Sequence, residues 1–213
     1  MLSDKMKYID ASGIRKVFDL ASRMKNPINL SIGQPDFDVP DEIKNEAKLW
    51  IDRGFNSYTP TQGISELNLK LKKHILKTKN CEPEDLFITS GVSGGILLSF
   101  MALLNPGDEV IIPDPYFVMY KHLTTLTGAK CRFLDTYPDF TIKEKLLSKL
   151  VNKKTKLIIL NSPNNPTGKV ISEEEIDIAI KYAKKYGSVI MSDETYEPFL
   201  YKYSKLPSPF GKY

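Results

Sequence analysis

The sequence is poor in residues that hold metals. It has two histidines, His74 and His122, and two cysteines, Cys81 and Cys131, among 213 residues. None stands at a metal-ligand spacing, so no metal site is expected, and two distant cysteines make no disulfide framework. Long apolar runs are also missing. The longest, ILLSFMALL from Ile96 to Leu104, is about half a membrane span. The opening stretch MLSDKMKYIDAS has no apolar signal core, and a cytoplasmic location is expected. Strong charge of one sign is absent too. The net charge is only +4, and groups such as Lys153, Lys154 and Lys156 read as solvated faces, so neither nucleic acid nor membrane is an expected partner. There is no Gly-Lys-Ser/Thr phosphate loop and no G-x-G-x-x-G turn, which excludes the two commonest nucleotide fingerprints. No internal repeat or low-complexity tract is visible. What remains is an ordinary soluble composition, 41% hydrophobic and 26% charged, long enough for one sizeable core.

Strand-like and helix-like runs alternate along the chain. DLFITSG precedes VSGGILLSFMALL, DEVIIPDP precedes YFVMYKHLTTLTG, KCRFLD precedes TIKEKLLSKLV, and KLIILNS precedes SEEEIDIAIKYAKKYG and then SVIMSDE. The strand runs are short, continuous and rich in Val and Ile, as in a mainly parallel sheet covered on both faces. Ser172 and Glu175 have capping-box spacing ahead of Ile176, Ile180 and Ala183, and Gly187 is a natural stop for that helix. Pro40 with Asp41 and Glu42 opens another helix, closed by Gly54. GISELNLKLKKHILK is a third, with Ile64, Leu67, Leu71 and Ile75 on one face. The fold class predicted is a three-layer α/β/α arrangement with right-handed crossovers. Ligands of such sheets bind beyond the carboxyl ends of the strands.

Four such ends stand out. In ITSGVSGGI, residues Gly91, Val92 and Ser93 sit where a strand turns into a helix, whose free N–H groups and dipole suit an anion such as phosphate. A plain glycine turn with a serine cap fits equally well there. In PDPYFVMY, Tyr116 and Phe117 begin a helix on the same rim, where a ring either stacks on a flat ligand or packs in the core. NSPNNPTGKV crowds prolines, asparagines and a glycine into a rigid loop, either a structural turn or a holder of amides against a phenolate or carboxylate. In SVIMSDETYEPF, Asp193 ends a buried strand and Tyr196 follows one short turn later. A buried unpaired carboxylate costs on the order of 3–5 kcal/mol. A helix cap or a distant lysine would relieve that cost, and so would a protonated ring nitrogen. Taken together, the four ends describe a ligand with a phosphate, an aromatic ring, a phenolic oxygen and a basic ring nitrogen: pyridoxal 5′-phosphate (PLP).

With these motifs in hand, the chain resembles the class I/II aminotransferases, PLP enzymes of the aspartate aminotransferase fold. SIGQPDFDVP is similar to the family's substrate loop, and the resemblance implies that Gly33 offers its backbone to the substrate α-carboxylate. NSYTPTQGISELN is similar to the family's Y-x-P-x-x-G segment, which implies that Tyr58 reaches the cofactor phosphate of the partner subunit in a homodimer. Gly91, Val92 and Ser93 match the phosphate cup, and Phe117 the ring-stacking position. Asn165 matches the residue that bonds the ring oxygen and the substrate carboxylate. Asp193 and Tyr196 match the partners of the ring nitrogen and ring oxygen. Each motif is moderately specific, and their shared order is strongly so.

The resemblance covers the first half of the family's length. The family's Schiff-base lysine lies in a Ser-x-Ser-Lys-like motif a few tens of residues beyond the position of Asp193, ahead of an arginine-containing segment. No such motif stands between Asp193 and Tyr213. Ser204-Lys205 stands too near Asp193 to match it, so Lys205 is not expected to be catalytic. The expectation is a substrate-loop segment over residues 1–35, an incomplete PLP-binding large domain over residues 36–213, and no C-terminal small domain. The implied activity is amino-group transfer between an amino acid and a 2-oxo acid. By itself the chain is expected to be inactive or to depend on a separately supplied C-terminal half. A carbon–sulfur lyase of the same fold and a non-catalytic PLP-binding or structural fragment are the alternatives. DPYF is a weak echo of a methyltransferase loop but lacks its second proline.

Overall fold

The computed structural model describes residues 3–9, 17, 20–26, 28, 33, 35–203 and 205–212. The chain divides into two compact units, Asp10–Ile64 and Met1–Ile9 with Ser65–Tyr213. The smaller unit contains helix α1 (Asp41–Asp52), with Pro40 at its N-cap and Gly54 just past its end, as the sequence predicts. Proline suits that position because the first N–H groups of a helix have no intrahelical partner.

The larger unit runs α2 (Ser65–Lys79), α3 (Gly91–Leu103), β1 (Glu109–Asp114), α4 (Val118–Leu126), β2 (Lys130–Asp135), α5 (Glu144–Leu150), β3 (Thr155–Asn161), α6 (Glu173–Tyr186) and β4 (Val189–Asp193). Its four strands form one sheet in the order β2-β1-β3-β4, every pair parallel. Side chains alternate along each strand, and the two faces bury separate cores. Val110 and Ile112 of β1, with Leu157 and Ile159 of β3, pack with Ile96 and Phe100 of α3 and Leu123 of α4. Ile111, Ile158 and Leu160 face the other way, onto Leu147 of α5 and Ile176, Ala179 and Ala183 of α6. These two clusters make the three α/β/α layers, and every strand runs its carboxyl end toward the same rim.

Helix α6 bears out its sequence signals. Ser172 Oγ accepts from the Glu175 backbone N–H at 3.2 Å, and Glu175 Oε2 accepts from the Ser172 N–H at 2.9 Å. Gly187 ends the helix at φ 68, a left-handed conformation that glycine adopts without a Cβ penalty. Glu175 has a second duty that the local sequence does not reveal. Its Oε1 accepts from the backbone N–H of Ile142 at 2.8 Å, so this buried carboxylate ties the start of α6 to the segment leading into α5.

One expected element differs from the structure. DLFITSG was expected as a strand but joins no ladder among the described residues, and Phe87 and Ile88 are exposed. Strand composition supplies side chains, but a ladder also needs a neighbour's N–H and C=O groups, and no described strand pairs with this run. The expected helix α2 is present, and its apolar stripe is covered only in part: Leu71 and Ile75 are half-buried, while Ile64 and Leu67 are exposed. No helix among the described residues is long and apolar enough to cross a membrane.

The double role of Glu175 gives a test. Ser172→Ala removes one cap and should lower stability by about 1 kcal/mol. Glu175→Ala leaves the Ile142 and Ser172 N–H groups without their acceptor and should cost about 3 kcal/mol. Equilibrium urea unfolding of both variants checks the order, and equal midpoints would contradict it.

Candidate functional site

Asn161 and Asp193, the last residues of β3 and β4, are register partners, so the two strand ends lie level. Asn161 Nδ2 donates to the backbone oxygen of Asp193 at 3.1 Å, and the Ser162 N–H donates to the same oxygen at 3.0 Å. Asn161 Oδ1 accepts from the Asn165 N–H at 2.8 Å. The loop beyond is closed by Asn164, whose Oδ1 accepts from the Thr167 N–H at 3.1 Å and the Thr167 hydroxyl at 2.9 Å. The rigidity anticipated for NSPNNPTGKV is therefore a set of amide bonds that fix the backbone of Asn165 relative to β4.

Asp193 is buried, and its partners are neutral. Tyr120 Oη donates to Oδ2 at 2.6 Å. The hydroxyl of Thr195 donates to Oδ1 at 2.7 Å and its backbone N–H at 3.2 Å. Among the described residues no lysine or arginine pairs with Asp193, so its negative charge is solvated but not neutralised. Tyr120, on α4, is fully buried. Burial first, and then the Asp193 carboxylate it bonds, push its phenol well above the usual tyrosine range and keep it a proton donor. A carboxylate offers about four acceptor sites. Three are used here, which leaves one on Oδ2.

Val92, Ser93, Phe117, Asn165, Asp193 and Tyr196 line one open pocket of about 180 Å³, together with Tyr120, Asn161 and Thr195. Gly91 starts α3 beside them at φ 66. Thr89 turns its hydroxyl onto the Gly91 carbonyl at 2.8 Å, and Ser90, at the N-cap, makes no side-chain cap bond. Among the described residues no side chain caps the first turn. The Gly91 N–H is not free, contrary to the expectation, because it donates to the Thr89 carbonyl at 2.8 Å; the N–H groups of Val92 and Ser93 are the ones left for an anion. Phe117 is the N-cap of α4 and meets Tyr120 edge-on, with ring centroids 5.7 Å apart at 86°. Asn165 Nδ2 lies 3.5 Å from Tyr196 Oη. That is long for a hydrogen bond and close enough for both groups to reach one ligand oxygen.

Seven sequence-selected residues thus meet at one rim. Gly33 and Tyr58 belong to the smaller unit, where both are exposed. Of the Ser204-Lys205 pair, Ser204 lies outside the described residues, and Lys205 lines a different depression together with Lys212. Sequence reasoning missed Tyr120. The available signal was its position three residues after Phe117, which puts both rings on one side of α4.

A model of aminotransferases of class I and II matches residues 25–209, and the chain belongs to that family. It is 40% identical over 203 residues to the "Probable aspartate aminotransferase" of Methanocaldococcus jannaschii, covering 94% of this chain and 54% of that protein. It is 39% identical to the aromatic-amino-acid aminotransferase 2 of Thermococcus litoralis, covering 94% of this chain and 53% of that one. Among solved structures it is similar to a double mutant of Thermus thermophilus aspartate aminotransferase, with a TM-score of 0.91, 30% identity, and 98% of this chain against 56% of that one. The chain spans about half the length of the curated relatives it matches.

The two tyrosines near Asp193 differ in what they hold. Tyr120→Phe removes a bond to a buried charge and should cost about 1.5–3 kcal/mol. Tyr196→Phe, at a partly exposed site, should cost less than about 0.5 kcal/mol. Because the Tyr120 pKa is raised in the folded state, its stabilising effect is complete below the ordinary tyrosine pKa of about 10 and is lost as pH rises beyond it. Urea unfolding as a function of pH should show an alkaline decline that is shallower in Tyr120→Phe. Identical slopes in the two proteins would refute the assignment.

Proposed function

We propose that the protein serves amino-group transfer between an amino acid and a 2-oxo acid, with PLP held in the pocket at the ends of β3 and β4. The observation that carries this reading is Asp193, a buried carboxylate that lines the pocket, has no cationic partner among the described residues and accepts three hydrogen bonds, all from neutral donors. The donor set fits the group. Asp193 would hold a proton at the pyridine nitrogen by hydrogen bond and charge. Asn165 and Tyr196, side by side, would donate to the ring oxygen. Phe117 would pack on the ring, and the N–H groups of Val92 and Ser93, in the turn that Gly91 opens, would hold the phosphate with the serine hydroxyl. Bound there, PLP supplies the electron-withdrawing ring that lets bonds at the Cα of an amino acid break.

The remaining roles rest on the family likeness. Gly33 and Asn165 would meet the substrate carboxylate, and Tyr58 would reach the phosphate of a second subunit in a homodimer. A base is also needed for the proton at Cα. Among the described residues no lysine lines the pocket, so the part read for them is to bind and orient the group and its substrate.

Titration with PLP, followed by absorption and circular dichroism, tests this reading. One PLP should bind per chain, compete with inorganic phosphate and leave on dialysis, and borohydride should fix it at no single lysine. Asp193→Asn should weaken binding about tenfold or more, because it removes a charge-assisted bond. No spectral change on titration would sink the reading. Stoichiometric reduction onto Lys205 would overturn the reading that the described residues hold the cofactor without its Schiff-base lysine.

A further inference from the structure

Lys79 is the last residue of α2, where the helix dipole favours a cation. Its ammonium lies 2.7 Å from Glu194 Oε2 and 2.7 Å from Glu197 Oε1, and only 10% of its side chain is exposed. The two glutamates flank the functional turn: Glu194 follows Asp193, and Glu197 follows Tyr196. The second oxygen of Glu194 accepts from Ser192 at 2.8 Å and from Ser208. Asp193 and Glu194 are consecutive residues. One carboxylate faces the pocket and Tyr120, while the other reaches Lys79, which does not line that pocket. The turn is therefore fastened from both sides. Burial opposes the charge on Lys79, and the bonds to Glu194 and Glu197 more than offset it, so it stays protonated above the usual lysine range.

We propose that Lys79 is a positioning residue for the cofactor's ring nitrogen: by drawing Glu194 and Glu197 together it fixes the turn that aims Asp193 into the pocket. The inference rests on the reading of Asp193 given above. An ammonium between two carboxylates sets the spacing of Glu194 and Glu197, hence the path of Thr195 and Tyr196. Without it, two partly buried like charges repel one another, and the turn loses its outer anchor while the inner bonds to Tyr120 and Thr195 remain.

The discriminating probe is a pair of ligands: PLP, and its analogue with C–H in place of the ring nitrogen. The unmodified chain should prefer PLP, because Asp193 meets only the nitrogen. Lys79→Met should raise the Kd for PLP about fivefold or more and leave the Kd for the analogue within about twofold. Lys79→Arg, which can still bridge two carboxylates, should restore most of the preference. A purely structural role would weaken both ligands alike. Glu197→Gln breaks only the more exposed pair and should move the same ratio by a smaller factor, so it serves if Lys79→Met does not fold. The inference fails if the unmodified chain prefers PLP and the variants keep that preference in full. If the unmodified chain binds PLP without preferring it, or does not bind it, the reading of Asp193 fails first and takes the inference with it.

Discussion

The bond from Tyr120 to Asp193 carries more of the molecule than its length suggests. A carboxylate at the end of a buried parallel strand must be solvated by the protein, and a lysine would do so most simply. Here the task falls to a phenol, a hydroxyl and a backbone N–H. Neutral donors lower the energy of the anion without cancelling its field. The carboxylate is hydrogen-bonded without a cation beside it, at the wall of the pocket. This arrangement also explains the burial of Tyr120. Its ring belongs to the core that α3 and α4 make with the sheet, while its oxygen reaches the rim.

The scaffold makes such a meeting possible. Parallel strands joined by crossovers deliver their carboxyl ends to one side. The pocket can therefore draw on α3, α4, the loop after β3 and the turn after β4, which are separated by as much as a hundred residues. The register that pairs Asn161 with Asp193 brings the two strand ends level. A slip of one would turn Asp193 into a helical layer and put Ser192 or Glu194 at its level.

What the sequence revealed was local. The capping box of Ser172 and Glu175, the stop at Gly187, the apolar runs of β1 and β3 and the stiff loop around Asn165 each lie within a few residues, where periodicity and turn chemistry operate. The family likeness added the roles proposed for Phe117, Asp193 and Tyr196. What stayed hidden was distant. Tyr120 lies 73 residues from Asp193. Lys79 lies 115 residues from Glu194, and nothing near Lys79 marks it off from the other lysines of α2. Glu175 showed its cap but not its bond to Ile142. The misread strand at DLFITSG has the same cause, because a strand is defined by a neighbour that its own residues do not specify.

Asn161 shows what such economy demands over time. One amide donates to the backbone of Asp193 and accepts from that of Asn165. Its neighbour's N–H, on Ser162, is held by the same Asp193 oxygen. An asparagine ages when the following backbone nitrogen attacks its side-chain carbonyl and the amide is lost as ammonia. At this site the attacking nitrogen is hydrogen-bonded elsewhere and the carbonyl is engaged, so the folded chain shields the amide that organises its rim. An unfolded chain has no such shield. Conversion of Asn161 to aspartate would put an acceptor where a donor is required, and the damaged chain would refold with two carboxylates at adjacent strand ends. The durability of the pocket is thus tied to how seldom β3 and β4 part.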